Sequence, residues 1–213
     1  MRSGRRPEDI QVLAATKSRS AEEINEAIQA GVRCIGENRV QEALPKFPAL
    51  LPVQKHFIGH LQSNKAKAAV ELFDCIQSVD SFKLAQFLDR QAGAMGKRLP
   101  ILLEVNVAGE ATKSGVAPKH ALELARQVVA LEHLYLQGLM AMPPFAEDPQ
   151  MVRPHFRAMK ALYDEFSTLP GVGARCLSMG TSQDFEVAVE EGATLVRLGT
   201  VLFGPRQEAM FGQ

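Results

Sequence analysis

Short apolar runs alternate with longer stretches whose apolar residues recur at helical spacing, and the alternation continues along the whole chain. Strand-like runs fall at Gln11–Ala15 and at 33–35, 55–58, 73–77, 101–106, 134–140, 174–177 and 194–198. Helical signals lie between them. Ser20-Ala21-Glu22-Glu23 has the spacing of a capping box, and Ile24, Ala27 and Ile28 follow as its apolar stripe. Residues 81–91 carry Phe82, Leu84, Ala85 and Leu88 on one face. Residues 118–131 open with a proline suited to a first helical turn and carry Leu122, Leu124, Ala125 and Val128. The longest helical stretch, 149–169, stacks Phe156, Met159, Leu162, Tyr163 and Phe166.

Eight strand signals, each followed by a helical one except the last, describe a closed parallel barrel better than an open sheet. The expected architecture is α/β: a single (β/α)8 TIM-type barrel in which residues 1–213 form one domain. With 46% hydrophobic residues, the chain has enough apolar surface for one sizeable core. Lys plus Arg and Asp plus Glu both total 24, so no net field attracts a polyanion, and neither nucleic acid nor a membrane surface is expected as a partner. No apolar run is long enough to span a bilayer, and no signal-peptide core follows Arg5-Arg6. Cys34, Cys75 and Cys176 have no C-x-x-C spacing and read as small buried hydrophobes, which suits a cytoplasmic chain. A monomer is expected.

In such barrels chemistry gathers where the strands end. Here those ends are unusually polar: Thr16-Lys17-Ser18, Gly36-Glu37-Asn38, Gly59-His60, Ser178-Met179-Gly180 and Arg197-Leu198-Gly199-Thr200. Lys17 leaves a buried strand, where a lysine either snorkels to the rim or, partly desolvated, offers an amine for a Schiff base. The turns at Ser178–Ser182 and Gly199-Thr200 follow the seventh and eighth strands, where barrels frequently bind phosphate. Ser182 suits such a site and suits an ordinary helix N-cap equally well. Arg197 interrupts an apolar strand; pointing inward it must meet acceptors, pointing outward it would pair with a helix. His60 is the histidine at a strand end, whereas His56, His120, His133 and His155 read as surface or packing residues. Converging metal ligands are not evident, and no metal is expected.

Six motifs, in order, closely resemble the pyridoxal phosphate homeostasis proteins. They are Thr16-Lys17, Gly36–Glu42, His56–Lys65, Val105–Glu110 with Lys113–Gly115, Leu177–Gly180 with Ser182 and Asp184, and Val196–Gly199 with Phe203-Gly204. The resemblance runs from Gln11 to Arg206, departing at Lys55, where an aromatic residue is common. It implies the alanine racemase N-terminal barrel without that enzyme's second domain, and pyridoxal 5′-phosphate held covalently on Lys17. It further implies Asn38 beside the ring, Ser178, Gly180, Gly199 and Thr200 along the phosphate, Arg197 facing the pyridine nitrogen, and Ser182 and His60 nearby. The implied role is intracellular homeostasis of the cofactor, with apo-enzymes as recipients and no dedicated catalysis.

The rival expectation is a fold-type III amino-acid racemase or decarboxylase on the same barrel. Racemisation needs a base on each face of the substrate carbon, and Lys17 supplies only one. Tyr135 and Tyr163 fall on a strand start and a helix, away from the strand ends. A carrier is therefore favoured.

Overall fold

The computed structural model describes residues 3–110 and 113–205; Arg206, where the motif resemblance ends, lies outside them. Eight parallel strands close in sequence order into a barrel. They are β1 (Gln11–Ala15), β2 (Cys34–Glu37), β3 (Gln54–Phe57), β4 (Cys75–Val79), β5 (Leu99–Val105), β6 (Leu134–Ala141), β7 (Cys176–Thr181) and β8 (Leu195–Leu198). The ring shuts where β1 pairs with β8, from Gln11 opposite Leu195 to Ala14 opposite Leu198.

Helices wrap the outside: α1 (Ala21–Gln29), α2 (Val40–Lys46), α3 (Ala66–Leu72), α4 (Phe82–Ala94), α5 (Pro118–Val128), α6 (Arg153–Ser167), α7 (Phe185–Glu190) and α8 (Thr200–Phe203). The capping box on α1 forms as expected: the Ser20 hydroxyl accepts from the Glu23 N–H at 3.3 Å, and the Glu23 carboxylate accepts from the Ser20 N–H at 2.8 Å. The stretch 149–169 is not one helix. Asp148 caps a 3-10 turn at Pro149–Val152, and α6 starts at Arg153, with Pro154 in the first turn, where its missing N–H costs nothing.

Two differences from the sequence expectation matter for the site. The eighth strand is also followed by a helix, the short α8. Strands β2 and β7 run further than 33–35 and 174–177, through Glu37 and Thr181, because their polar residues are paired: Glu37 with Thr16 and with Lys46 of α2 on the helix side, Ser178 with Arg197 inside the barrel. The largest hydrophobic cluster fills the shell between strands and helices. Two smaller clusters lie inside the barrel: Leu13, Cys34 and Leu195 from strands with Ile58 just past β3, and Cys75, Leu102 and Met140. Above them the interior turns polar, with Gln77, Glu104, Ser178 and Arg197 all buried.

Candidate functional site

The end of β1 is held by a buried charged clamp. The Thr16 N–H donates to the Gly36 carbonyl at 2.9 Å, and its hydroxyl donates to Glu37 Oε1 at 2.8 Å. Lys46, from the last turn of α2, pairs with that same oxygen and donates to the Thr16 carbonyl at 3.2 Å. Glu37 is fully buried and Lys46 nearly so. Lys17 leaves the barrel wall directly after this clamp. Ser18 then takes φ 63°, a left-handed conformation that a non-glycine residue adopts only when its surroundings impose it.

Lys17 opens into a cavity of about 330 Å³ at the C-terminal mouth of the barrel. Asn38, Ser182, Arg197, Gly199 and Thr200 also line it. Asn38 reaches the cavity because Gly59 lacks a side chain: a Cβ there would stand 2.1 Å from the Asn38 carbonyl oxygen. Ile58 and Met142 supply apolar walls.

Arg197 points inward. Its Nη1 donates to the Ser178 carbonyl at 2.9 Å and hydroxyl at 2.6 Å, and Nη2 donates to the Ala141 carbonyl at 2.8 Å. Burial lowers its pKa to about 10, with Asp184 and Glu104 opposing, so the guanidinium stays charged at neutral pH. The Ser178 hydroxyl in turn donates to Gln77 Oε1 at 2.7 Å, and the Gln77 amide meets His56 Nδ1 at 2.8 Å. A polar chain therefore runs down the barrel from the cavity to its base.

Ser178 and Gly180, expected along the phosphate, do not line this cavity. The Ser178 side chain is spent inside the barrel. Gly180 takes φ 92°, and a Cβ there would lie 2.5 Å from the Ala188 Cβ on α7, so this glycine serves close strand–helix packing. The rim of the β7 turn is instead Thr181, Ser182 and Gln183. The Ser182 hydroxyl accepts from the Gly199 N–H at 2.9 Å and the Val201 N–H at 3.4 Å, so backbone donors from the next loop already converge on one oxygen. Convergent donors of that kind suit a phosphate. His60 stands outside this cavity, exposed, with Nδ1 3.0 Å from the Ser114 hydroxyl.

Several residues escaped the sequence reading or were left open by it. His56, read as a surface or packing residue, takes the packing role: it is half-buried against Gln77, and burial lowers its pKa to about 4. Glu104 lies buried near Arg197, its carboxyl raised to about 7 by burial first and by Asp80 second, with Arg197 opposing. The signal that marked Arg197, a charge inside an apolar run, also marks Glu104 in Ile101-Leu102-Leu103-Glu104-Val105. Burial raises the thiols of Cys34 and Cys176 to about 12 and that of Cys75 well above its usual value, so none is a ready nucleophile. Tyr135 packs near Gly173 and under Arg98, and Tyr163 stacks on Phe166. Neither lines the cavity. Among the described residues no His, Cys, Asp or Glu cluster could hold a metal, and no helix is long and apolar enough to cross a membrane.

The alanine racemase N-terminal domain family matches residues 5–207. A pyridoxal phosphate homeostasis protein of Aquifex aeolicus is 44% identical, over 97% of this chain and 91% of its own. The structure of PipY of Synechococcus elongatus with PLP bound superposes with a TM-score of 0.85 at 38% identity, covering 95% of this chain and 96% of that one. An alanine racemase of Clostridium difficile shares the fold, with a TM-score of 0.76 at 16% identity over 96% of this chain and 55% of its own. The barrel, its motif order and these relatives agree: the chain belongs to the pyridoxal phosphate homeostasis protein family, on the alanine racemase N-terminal barrel.

Proposed function

We propose that this chain binds pyridoxal 5′-phosphate covalently through Lys17 and holds it for delivery to apo-enzymes, without a dedicated reaction of its own. The observation that carries this is a single cavity with three complementary walls: an amine at Lys17, a fixed cation at Arg197, and a rim at Ser182, Gly199 and Thr200 where the Gly199 and Val201 N–H groups converge on the Ser182 hydroxyl. When bound, the cofactor supplies an aldehyde that takes an amine and a ring that can withdraw electrons. The residues around it do the rest. The Thr16–Glu37–Lys46 clamp aims Lys17. The loops after β7 and β8 offer N–H groups to a dianion. Asn38 lies on the wall beside the lysine.

Arg197 favours holding over catalysis. Its charge and its commitment to the Ser178 and Ala141 carbonyls leave it unable to accept a proton from a pyridine nitrogen. A ring kept neutral is a poor electron sink; alanine racemases resemble this arrangement, so the weight against racemisation falls on the second base. Tyr135 and Tyr163 both lie away from the cavity, so neither offers a second base there.

The test is the purified protein's visible spectrum followed by borohydride reduction and peptide mapping. A yellow protein whose reduced adduct maps to Lys17 is expected. Lys17→Ala should lose the adduct while keeping the fold, at a cost under about 1 kcal/mol. An adduct of equal yield on Lys65 or Lys113 in that variant would overturn the assignment.

A further inference from the structure

A second cavity of about 240 Å³ opens beside the one holding Lys17, and the two share Asn38, Ile58 and Met142 as a common wall. Its deep side is Glu104, near the end of β5; its outer side is His60, Lys113 and Ser114. Glu104 is only 9% exposed, and its Oε2 is sealed from solvent without a hydrogen-bond partner among the described residues. A buried carboxyl in that state is costly as an anion unless a donor or a cation meets it. Arg197, the nearby cation, spends donors on Ser178 and Ala141. Lys113 pairs with Glu110 at 3.1 Å.

The surrounding field also favours a cation. Asp80, just past β4, lies close enough to Glu104 for its charge to oppose ionisation there, and its carboxylate stands 3.8 Å from the His60 ring. Glu104 therefore faces the cavity with the charge of Asp80 behind its wall, and the His60–Ser114 contact at 3.0 Å closes the outer side. A compact group with several N–H donors and a positive charge would satisfy Glu104 and relieve its repulsion with Asp80. A primary ammonium has that chemistry.

We propose that this second cavity is a binding subsite for a small primary amine in its ammonium form, with Glu104 as the acceptor. Binding itself does not depend on the cofactor. Its consequence rests on the reading of the neighbouring cavity as the cofactor site. With the cofactor held on Lys17 in the adjoining cavity, an amine held at Glu104 would be a candidate to take the place of the Lys17 amine. In that exchange one C–N linkage would form as the one to Lys17 broke, and Glu104 would carry the proton given up by the incoming ammonium toward the departing Lys17 amine.

The test uses the full chain freed of cofactor, with ¹³C-labelled glutamate carboxyls and the Glu104 resonance assigned by its loss in Glu104→Gln. The groups facing Glu104 in the titration are Asp80, Arg197, His60 and Lys113, and their protonation is followed in the same samples. Saturating ethylammonium chloride should lower the Glu104 midpoint by about one pH unit, a tenfold coupling, whereas tetramethylammonium chloride, which has no N–H donor, should leave it in place. Glu104→Gln should weaken ethylammonium binding at least about tenfold. Ser114→Leu, which narrows the cavity from its loop wall and leaves Glu104 untouched, should do the same and covers the case in which the core variant misfolds. An unmoved midpoint, or equal effects of the two salts, would overturn the proposal. Lys17→Ala separates it from the cofactor assignment: ethylammonium binding should survive there while the borohydride-stable adduct is lost.

Discussion

The Arg197 guanidinium lies 2.6 Å from the Ser178 hydroxyl, and that contact turns a residue expected to face phosphate into a strut of the barrel interior. Arg197→Met would leave the Ser178 and Ala141 carbonyls without their buried donor. The expected loss is about 3 kcal/mol or more in urea denaturation, against under about 1 kcal/mol for Lys17→Ala. Equal midpoints for the two variants would mean that these hydrogen bonds contribute little. On the loaded, unmutated protein, L-alanine in deuterated water should show negligible α-proton exchange. Rapid exchange would favour an enzyme.

Phosphate recognition should dominate affinity. Backbone N–H groups of Gly199 and Val201 already converge at the Ser182 hydroxyl. Losing two charge-assisted hydrogen bonds costs at least about tenfold in binding. Pyridoxal should therefore titrate at least about tenfold more weakly than its 5′-phosphate when followed by absorbance, and superimposable curves would remove the phosphate from this loop.

The Glu37–Lys46 pair can be read by a double-mutant cycle. Removing only Lys46 leaves a fully buried carboxylate with the Thr16 hydroxyl alone, at an expected cost of about 3–5 kcal/mol. Lys46→Met with Glu37→Met should recover much of that loss, since an apolar pair carries no uncompensated charge. Thermal or urea unfolding of the four proteins measures it. A strictly additive cycle would show the clamp to be energetically idle.

Two buried groups push the pH dependence of stability in opposite directions. The Glu104 carboxyl is raised from 4.5 to about 7, so between those values the folded state binds more protons, and stability falls as pH rises. The His56 ring is lowered from 6.5 to about 4, so across that window the folded state binds fewer protons, and stability rises with pH. Each slope is at most about 1.4 kcal/mol per pH unit, and the two oppose each other over most of the range. Relative to the parent protein, Glu104→Gln should steepen the rise of stability between pH 4.5 and 7, and His56→Gln should flatten or reverse it between pH 4 and 6.5. Parallel curves for all three proteins would mean that neither group is shifted.

The sequence by itself determined the barrel, because its two periodicities are local: strand runs and helical stripes each report burial against a layer, and eight repeats in order leave a closed ring as the economical arrangement. It also marked Lys17, Asn38, Arg197, Gly199 and Thr200, since polar residues at the ends of apolar strands converge at one mouth whatever the packing details. What it left open was direction. Whether Arg197 points inward, whether Ser178 meets a ligand or a neighbour, and whether His56 lies at the surface depend on register between strands distant in sequence. Ser178 meets Gln77 across 101 positions of chain, and no local pattern encodes that contact. Glu37 and Lys46 show the same limit from nearer by: only nine positions apart, they become a buried pair because α2 folds back over the end of β1 and excludes water. Tertiary structure decided these roles, since desolvation and hydrogen-bond partnership are properties of the assembled barrel and not of any single segment.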